Sequence, residues 1–301
     1  MSTVTIICTN KRLLVALFLM PAAAFLLLPR TMSARPSCYS NSLHQTKPKK
    51  HVVEGIECVE VTVDIPLVGP VTILEATIES QQDLVNQALQ DSSTQLNAGD
   101  PYGSVLWPAA SAVASYMLKN TRLQGSSVLE LGTGTGLVSI AASLGGASHV
   151  LATDYENVPL RLLEYASHYL NSVPIVIEML DLCDSCTPLP FADLVVAADI
   201  LYERKTGKAM AQRAVEALRQ GSRVLVGDSP GRTGRPVFLE ELQNLGVQGE
   251  FVSVKGRTCS GDRHELICGK GSTSVSEKPR ALMIAILDLD PATCFSIRKN
   301  T

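Results

Sequence analysis

From Ser127 onward, short apolar runs rich in β-branched residues alternate with longer segments whose apolar positions recur at helical spacing. Ser127 to Leu131, His149 to Thr153, Pro174 to Met179, Ala192 to Ala197 and Arg223 to Gly227 read as strands. Leu137 to Leu144, Pro159 to Leu170, Lys205 to Arg219 and Pro236 to Leu245 read as the helices between them. Strands that are apolar on both faces and joined through helices build a parallel sheet covered on both sides. Glu250 to Val254, Glu265 to Cys268 and Leu282 to Leu287 follow with no helix between them, which predicts an antiparallel edge. The predicted fold class is therefore α/β, a doubly wound, mostly parallel, seven-stranded Rossmann-like sheet with an antiparallel C-terminal edge.

Upstream the periodicity changes. Val59 to Ile65 and Val71 to Ile78 alternate like a hairpin turned at Pro66 to Pro70, and a polar helical stretch covers Gln81 to Leu89. Gly99-Asp-Pro101 ends that stretch, and Trp107 to Leu118 reads as an amphipathic helix entered through Pro108 at its first turn. Residues 54–125 are accordingly expected to form an N-terminal extension and lid, 126–290 the main domain and 291–301 a tail.

The first 53 residues follow a different pattern. Leu13 to Leu28 is nearly all apolar, is preceded by Lys11-Arg12 and is interrupted by Pro21, which is short for a spanning helix and matches a signal-peptide core. Residues 29–53 are rich in Ser, Pro, Arg and Lys and contain no acid, as transit peptides do. A signal core followed by a transit-like segment predicts an organellar address, a plastid by that order, with a membrane anchor or the secretory pathway as alternatives. No stable membrane insertion is expected once such a leader is removed, and the mature chain is expected to be a monomer.

Composition refines this picture in three ways. With 46% hydrophobic and 18% charged residues, 301 residues suffice for a large core, which excludes a wholly disordered chain. Residues 1–53 hold seven Lys/Arg and no Asp or Glu, so the remainder carries 19 basic against 29 acidic residues. An acidic body repels a polyphosphate at long range, so no nucleic-acid partner is expected. The eight cysteines form no disulfide framework, and Cys183-x-x-Cys186 lacks the further ligands a structural zinc site needs. The five histidines are scattered singly, and no metal site is predicted.

The candidate chemistry lies at the ends of the predicted strands, where open α/β sheets bind ligands. Glu130-Leu-Gly-Thr-Gly-Thr-Gly136 joins the first strand to the first helix, with Gly132, Thr133, Gly134 and Gly136 in the turn. Glycines let backbone approach a ligand closely. Dinucleotide sites space their glycines differently, and Leu137 stands where their third glycine would be. A carboxylate at Glu130 would repel a diphosphate but can hold an amino group, which points to S-adenosyl-L-methionine and its methionine moiety. Asp154 ends the next strand, about 20 residues on, where a carboxylate can take ribose hydroxyls; a helix-capping role is the alternative. Asp181 ends the third strand, positioned for the adenine amino group, with Leu182 beside the ring.

The fourth strand ends in Ala197-Ala198-Asp199-Ile-Leu-Tyr202. Ala198 would line the cofactor, and Asp199 and Tyr202 would lie beside its methyl group. There a carboxylate can attract and orient a lysine ammonium, and a phenol can hydrogen-bond the amine, while methyl displacement itself needs alignment in line with the departing sulfur. A helix cap followed by a packing tyrosine is the plainer alternative. Arg232 and Arg235 read as solvated loop charge or as a basic rim that steers an acidic acceptor.

Together, Leu106-Trp107-Pro108, Glu130 to Gly136, Asp154 and the D-x-x-Y motif Asp199 to Tyr202 resemble the seven-β-strand protein-lysine methyltransferases of methyltransferase family 16. The resemblance runs from about Tyr102 to Val254. It implies an enzyme that methylates a lysine side chain of a protein substrate, a Trp107 packed on the cofactor, and an Asp199 loop that receives the lysine. Gly227-Asp-Ser-Pro-Gly-Arg232 is similar to the branch acting on the electron-transfer-flavoprotein β-subunit, with Ser229 as an extra residue in the pattern. Leu182 also departs from the pattern, since many relatives carry a tryptophan there. A small-molecule methyltransferase or a non-catalytic cofactor-binding protein are the other functions the same motifs allow.

Overall fold

A computed structural model describes residues 48–93, 101–256 and 282–294. The apolar Leu13 to Leu28 run and the run predicted at Glu265 to Cys268 lie outside the described residues. The described residues reach into the segment expected to be leader, where β1 (Lys50–Val53) pairs antiparallel with β2 (Ile56–Ile65). A two-residue hairpin sets that register, with Glu54 and Gly55 both at positive φ, as such turns require. β2 then pairs with β3 (Gly69–Ala76), completing a three-stranded sheet. Thr77 caps α1 (Ile78–Ser93) by accepting the Ser80 N–H on its hydroxyl. After a 3-10 turn at Pro101–Ser104 comes α2 (Pro108–Asn120).

The main sheet contains β4 (Ser127–Leu131), β5 (His149–Asp154), β6 (Val176–Met179), β7 (Leu194–Ala198), β8 (Arg223–Asp228), β9 (Val252–Lys255) and β10 (Met283–Leu289). Their spatial order is β6-β5-β4-β7-β8-β10-β9, and β10 alone runs antiparallel to its neighbours. α3 (Leu137–Leu144), α4 (Asn157–Tyr165), α5 (Arg204–Gln220) and α6 (Gly234–Asn244) make the crossovers. α4 runs into a single π turn, Ala166–Leu170, so the helix expected to Leu170 changes its winding at Ala166.

Alternate residues of each strand enter two separate cores. Val128, Ala152, Val196, Leu225 and Ile286 face α2, α3, α4 and the three-stranded sheet, while Leu129, Leu151, Val195, Val226 and Leu287 face α5 and α6. α2 is thus part of the core and not only a lid: Ala109, Val113 and Met117 are fully buried, and a Cβ on Gly227 would stand 2.0 Å from Val113. The strand order reverses between β4 and β7, which leaves a crevice at their carboxyl ends.

Candidate active site

Three glycines build the turn at the end of β4. Gly132, Gly134 and Gly136 have φ of 68°, 52° and 78°, which L side chains rarely adopt. A Cβ at 132 would meet Ile200 at 2.5 Å and one at 136 would meet Leu163 at 2.2 Å. At 134 the nearest atom is the Gly103 carbonyl oxygen, 3.3 Å away, so the 3-10 turn of the extension stands over the glycine loop. The Thr133 N–H bonds the Thr153 carbonyl at 2.8 Å and ties the turn to β5.

Under this turn Glu130 is buried. Its Oε2 accepts the Thr133 hydroxyl at 2.8 Å, the Ser139 N–H at 3.0 Å and the Ser139 hydroxyl. Burial pushes its carboxyl up to about 7, against the pull of these bonds, and the nearby Asp154 charge adds to the rise. Thr133, predicted as a cofactor contact, spends its hydroxyl on Glu130. Ser139 was not foreseen; a polar residue amid the apolar Leu137-Val-Ser-Ile-Ala-Ala of α3 is the signal that marks it.

Asp154 ends β5 and is 5% exposed. One oxygen accepts the Gly134 N–H and the other the Glu156 N–H, each at 3.1 Å, so it shapes the glycine turn and the entry to α4. Asp181 is exposed beyond β6 and accepts the Cys183 N–H at 2.8 Å. Leu182 packs partly against the core on the α5 side, and its carbonyl accepts from Arg213 at 3.2 Å. Burial raises the Cys183 thiol above its ordinary range, which disfavours a reactive thiolate in that Cys-x-x-Cys pair.

Asp199 differs most from expectation. It was expected to present its carboxylate to an acceptor, yet the side chain is 1% exposed and four donors surround it. They are the Ala109 N–H at 2.8 Å, the Ser229 N–H at 2.9 Å, the Ser229 hydroxyl at 3.0 Å and Arg232 Nη2 at 3.3 Å. α2 has no capping side chain of its own, since Trp107 stands at its N-cap and Pro108 follows. Asp199 supplies the missing cap from the end of β7, with its own backbone held at φ 57°. Ser229, the extra residue in the Gly-Asp-Ser-Pro-Gly-Arg run, donates twice to this carboxylate. β7 and β8 are neighbours, so the loops after them meet.

Trp107 is half-buried, and its indole N–H donates to the Tyr102 carbonyl at 2.9 Å. The Arg232 guanidinium lies 4.7 Å above its ring. Arg232 and Arg235 are therefore not a solvated rim: Arg235 pairs with Asp228 at 2.7 Å and lies over Phe251. Burial nevertheless pushes the Asp228 carboxyl up to about 6. Ala198 is partly buried at the end of β7, and Tyr202 is 36% exposed at the mouth of the crevice. The structure thus gathers Glu130, the glycine turn and Asp154 into one cluster, and Trp107, Asp199, Ser229 and Arg232 into a second at the same sheet edge.

The lysine methyltransferase family model matches residues 87–245. The electron transfer flavoprotein beta subunit lysine methyltransferase of Xenopus laevis is 34% identical over 152 residues, which are 49% of this chain and 60% of that protein. The protein of the same name from Homo sapiens is 36% identical over 144 residues, 46% of this chain and 52% of that one. The chain therefore spans only 60% and 52% of these two relatives. Among solved structures, the ribosomal protein L11 methylase of Lactobacillus delbrueckii subsp. bulgaricus aligns at a TM-score of 0.41 and 16% identity, covering 58% of this chain and 75% of that one. The family match takes in more than half of the chain and contains both clusters, and the chain belongs to the lysine methyltransferase family.

Proposed function

We propose that this protein transfers a methyl group from S-adenosyl-L-methionine to the ε-amino group of a lysine in a protein substrate. Glu130 carries the reading. A buried carboxyl raised to about 7, beneath a turn of three glycines, is costly to ionise alone and is relieved by a cation. The amino group of a methionine moiety is such a cation, whereas a diphosphate would add negative charge. The glycine turn would seat the carboxylate end of that moiety, and Asp154, at the adjacent strand end, its ribose. The cofactor brings an electrophilic methyl group on a sulfonium. The protein's own part is to bind and orient: Glu130 holds an amine, Asp154 keeps the turn in shape, and Asp199 fixes Trp107 and the start of α2 at the mouth.

The relatives named for the electron transfer flavoprotein beta subunit make that protein the first acceptor to test. An organellar destination, set by the leader read in residues 1–53, belongs to the same proposal. The test is to incubate the full chain with methyl-labelled cofactor and a cell extract. Label is expected in discrete protein bands, at lysine by mass spectrometry, and Asp199→Asn is expected to suppress it. An asparagine would set its amide N–H₂ against one of the N–H groups that Asp199 now accepts. Label confined to lipid or small metabolites would overturn the reading.

A further inference from the structure

Away from the crevice, a cavity of about 480 Å³ is walled by Glu54 of the β1–β2 turn and by Arg161, Glu164, Tyr165, His168 and Tyr169. α4 starts shortly after Asp154 and runs back along the parallel sheet toward the amino end of β6, so this cavity lies at the sheet edge opposite the glycine turn. Two of its residues, His168 and Tyr169, ride on the π turn, where the Asn171 N–H bonds the Ala166 carbonyl at 3.1 Å. Single π turns inside helices frequently accompany functional sites.

Three rings border the cavity. Tyr165 and Tyr169 have ring centres 4.8 Å apart with planes inclined by 44°, and His168 stands edge-on to Tyr169 at 4.6 Å and 87°. Tyr165 is fixed from behind: its hydroxyl meets His51 Nδ1 at 3.1 Å, and His51 Nε2 meets Glu60 at 2.6 Å, with the imidazole only 9% exposed. One aromatic wall is thus set before any ligand arrives, while Tyr169 stays 66% exposed.

The charges around the rings do not cancel. Arg161 lies 3.4 Å from Glu54 through Nε and 2.8 Å from Glu164 through Nη1, and one guanidinium cannot balance two carboxylates. Lys49 is spent on Glu60 at 3.2 Å. A phosphate would face both rim carboxylates. An ordinary ammonium would have to shed its tight hydration for carboxylates already turned to Arg161. A quaternary ammonium has no N–H to satisfy and is held by aromatic faces and net negative charge. Val53 and Ile175 also border the cavity, next to β1 and β6, the outer strands of their two sheets; such edges can take the backbone of an extended peptide. We propose that this cavity binds the side chain of a trimethylated lysine presented by a partner protein. The proposal is independent of methyl transfer at the crevice, so failure of either leaves the other standing.

Calorimetric titration of the full chain with a short alanine peptide centred on trimethyl-lysine tests this without any cofactor. Affinity is expected to be about tenfold higher than for the same peptide with unmodified lysine or with the neutral tert-butyl isostere, the size of one partly desolvated cation–π contact. Tyr169→Ala should abolish that preference without changing the unfolding temperature, since the ring is exposed. Glu164→Gln should weaken binding about threefold and leave the fold intact. Saturation transfer should connect the ligand's N-methyl protons to tyrosine ring protons, and Tyr169→Ala should remove the signal. Equal affinity for the charged and neutral side chains would make the cavity a plain apolar groove. Binding that survives Tyr169→Ala would place the ligand elsewhere, the crevice included. Free choline binding more tightly than the peptide, or inorganic phosphate competing with it, would replace methylated lysine as the ligand. Any of these results would overturn the proposal.

Discussion

Glu130 is held in a compromise that its surroundings make expensive. Folded, its carboxyl titrates near 7 against an ordinary value of 4.5, so between those values the folded chain binds more protons than the unfolded one. Its contribution is therefore most favourable below about pH 4.5 and is lost as pH rises through 7, by roughly 3 kcal/mol in the ligand-free protein. Asp228, raised from 3.8 to about 6, acts with the same sign over a lower window. Glutamine mimics the protonated acid and can still accept from Thr133 and Ser139. Denaturant unfolding at pH 8 should thus find ligand-free Glu130→Gln more stable than the natural protein by about 1–3 kcal/mol, with the difference vanishing below about pH 4. Cofactor binding should show the reverse order. Calorimetry in buffers of differing ionisation enthalpy near pH 6.5 should find a proton released on binding by the natural protein, and none from this group in the variant. Equal stability of the two proteins at pH 8 would refute the assignment. The sequence made Glu130 legible, because an acid before a glycine turn is conspicuous. Its burial depends on Ser139 and Asp154 arriving from other elements, which no local pattern displays.

At the scale of elements, the turn between β4 and α3 separates two roles that the glycine pattern alone cannot. A Cβ on Gly136 would run into Leu163 of α4, whereas one on Gly134 meets only a backbone carbonyl at 3.3 Å and otherwise projects into the cradle. Both residues have positive φ, so either alanine costs about 1–2 kcal/mol from the backbone. Gly136→Ala should cost about 2–4 kcal/mol in all, because the packing of α4 must also give way. Gly134→Ala should unfold within about 2 kcal/mol of the natural protein yet lose most cofactor binding, since the methyl occupies the line of approach. Denaturation and calorimetry on the pair check this, and the same loss of stability in both would count against a cradle at 134. Element positions were largely readable here, since strand and helix periods alternate cleanly from Ser127. The junctions were less so. α2 lacks a cap in its own sequence because Asp199, 90 residues on, provides it, and only the adjacency of β7 and β8 reveals why Ser229 and Arg232 share that carboxylate.

Across the whole molecule, the boundary drawn at about residue 125 from the change of periodicity does not coincide with a break in packing. Cys58, Val63, Ile65, Val71, Ile73 and Leu74 of β2 and β3 lie in the same apolar cluster as Val113 of α2, Ile140 of α3, Val196 of β7 and Leu225 of β8. The two sheets are further stitched by Asn171, which donates to the Thr72 carbonyl at 2.6 Å while accepting the Thr72 N–H at 3.1 Å. Elements that share one core lose it together, so the three-stranded sheet and the main sheet should unfold in one transition. Trp107 fluorescence, which reports the crevice, and the near-ultraviolet signal of Tyr165, bonded to His51 at 3.1 Å beside β1, should therefore give coincident denaturation curves. Tyr165→Phe identifies the tyrosine contribution. Val71→Ala, a fully buried change in β3, should shift both curves together by about 2–3 kcal/mol. A transition in the tyrosine signal that precedes the tryptophan one would mean that the N-terminal sheet is a separable module, and the extension could then be treated as the detachable lid its sequence pattern resembles.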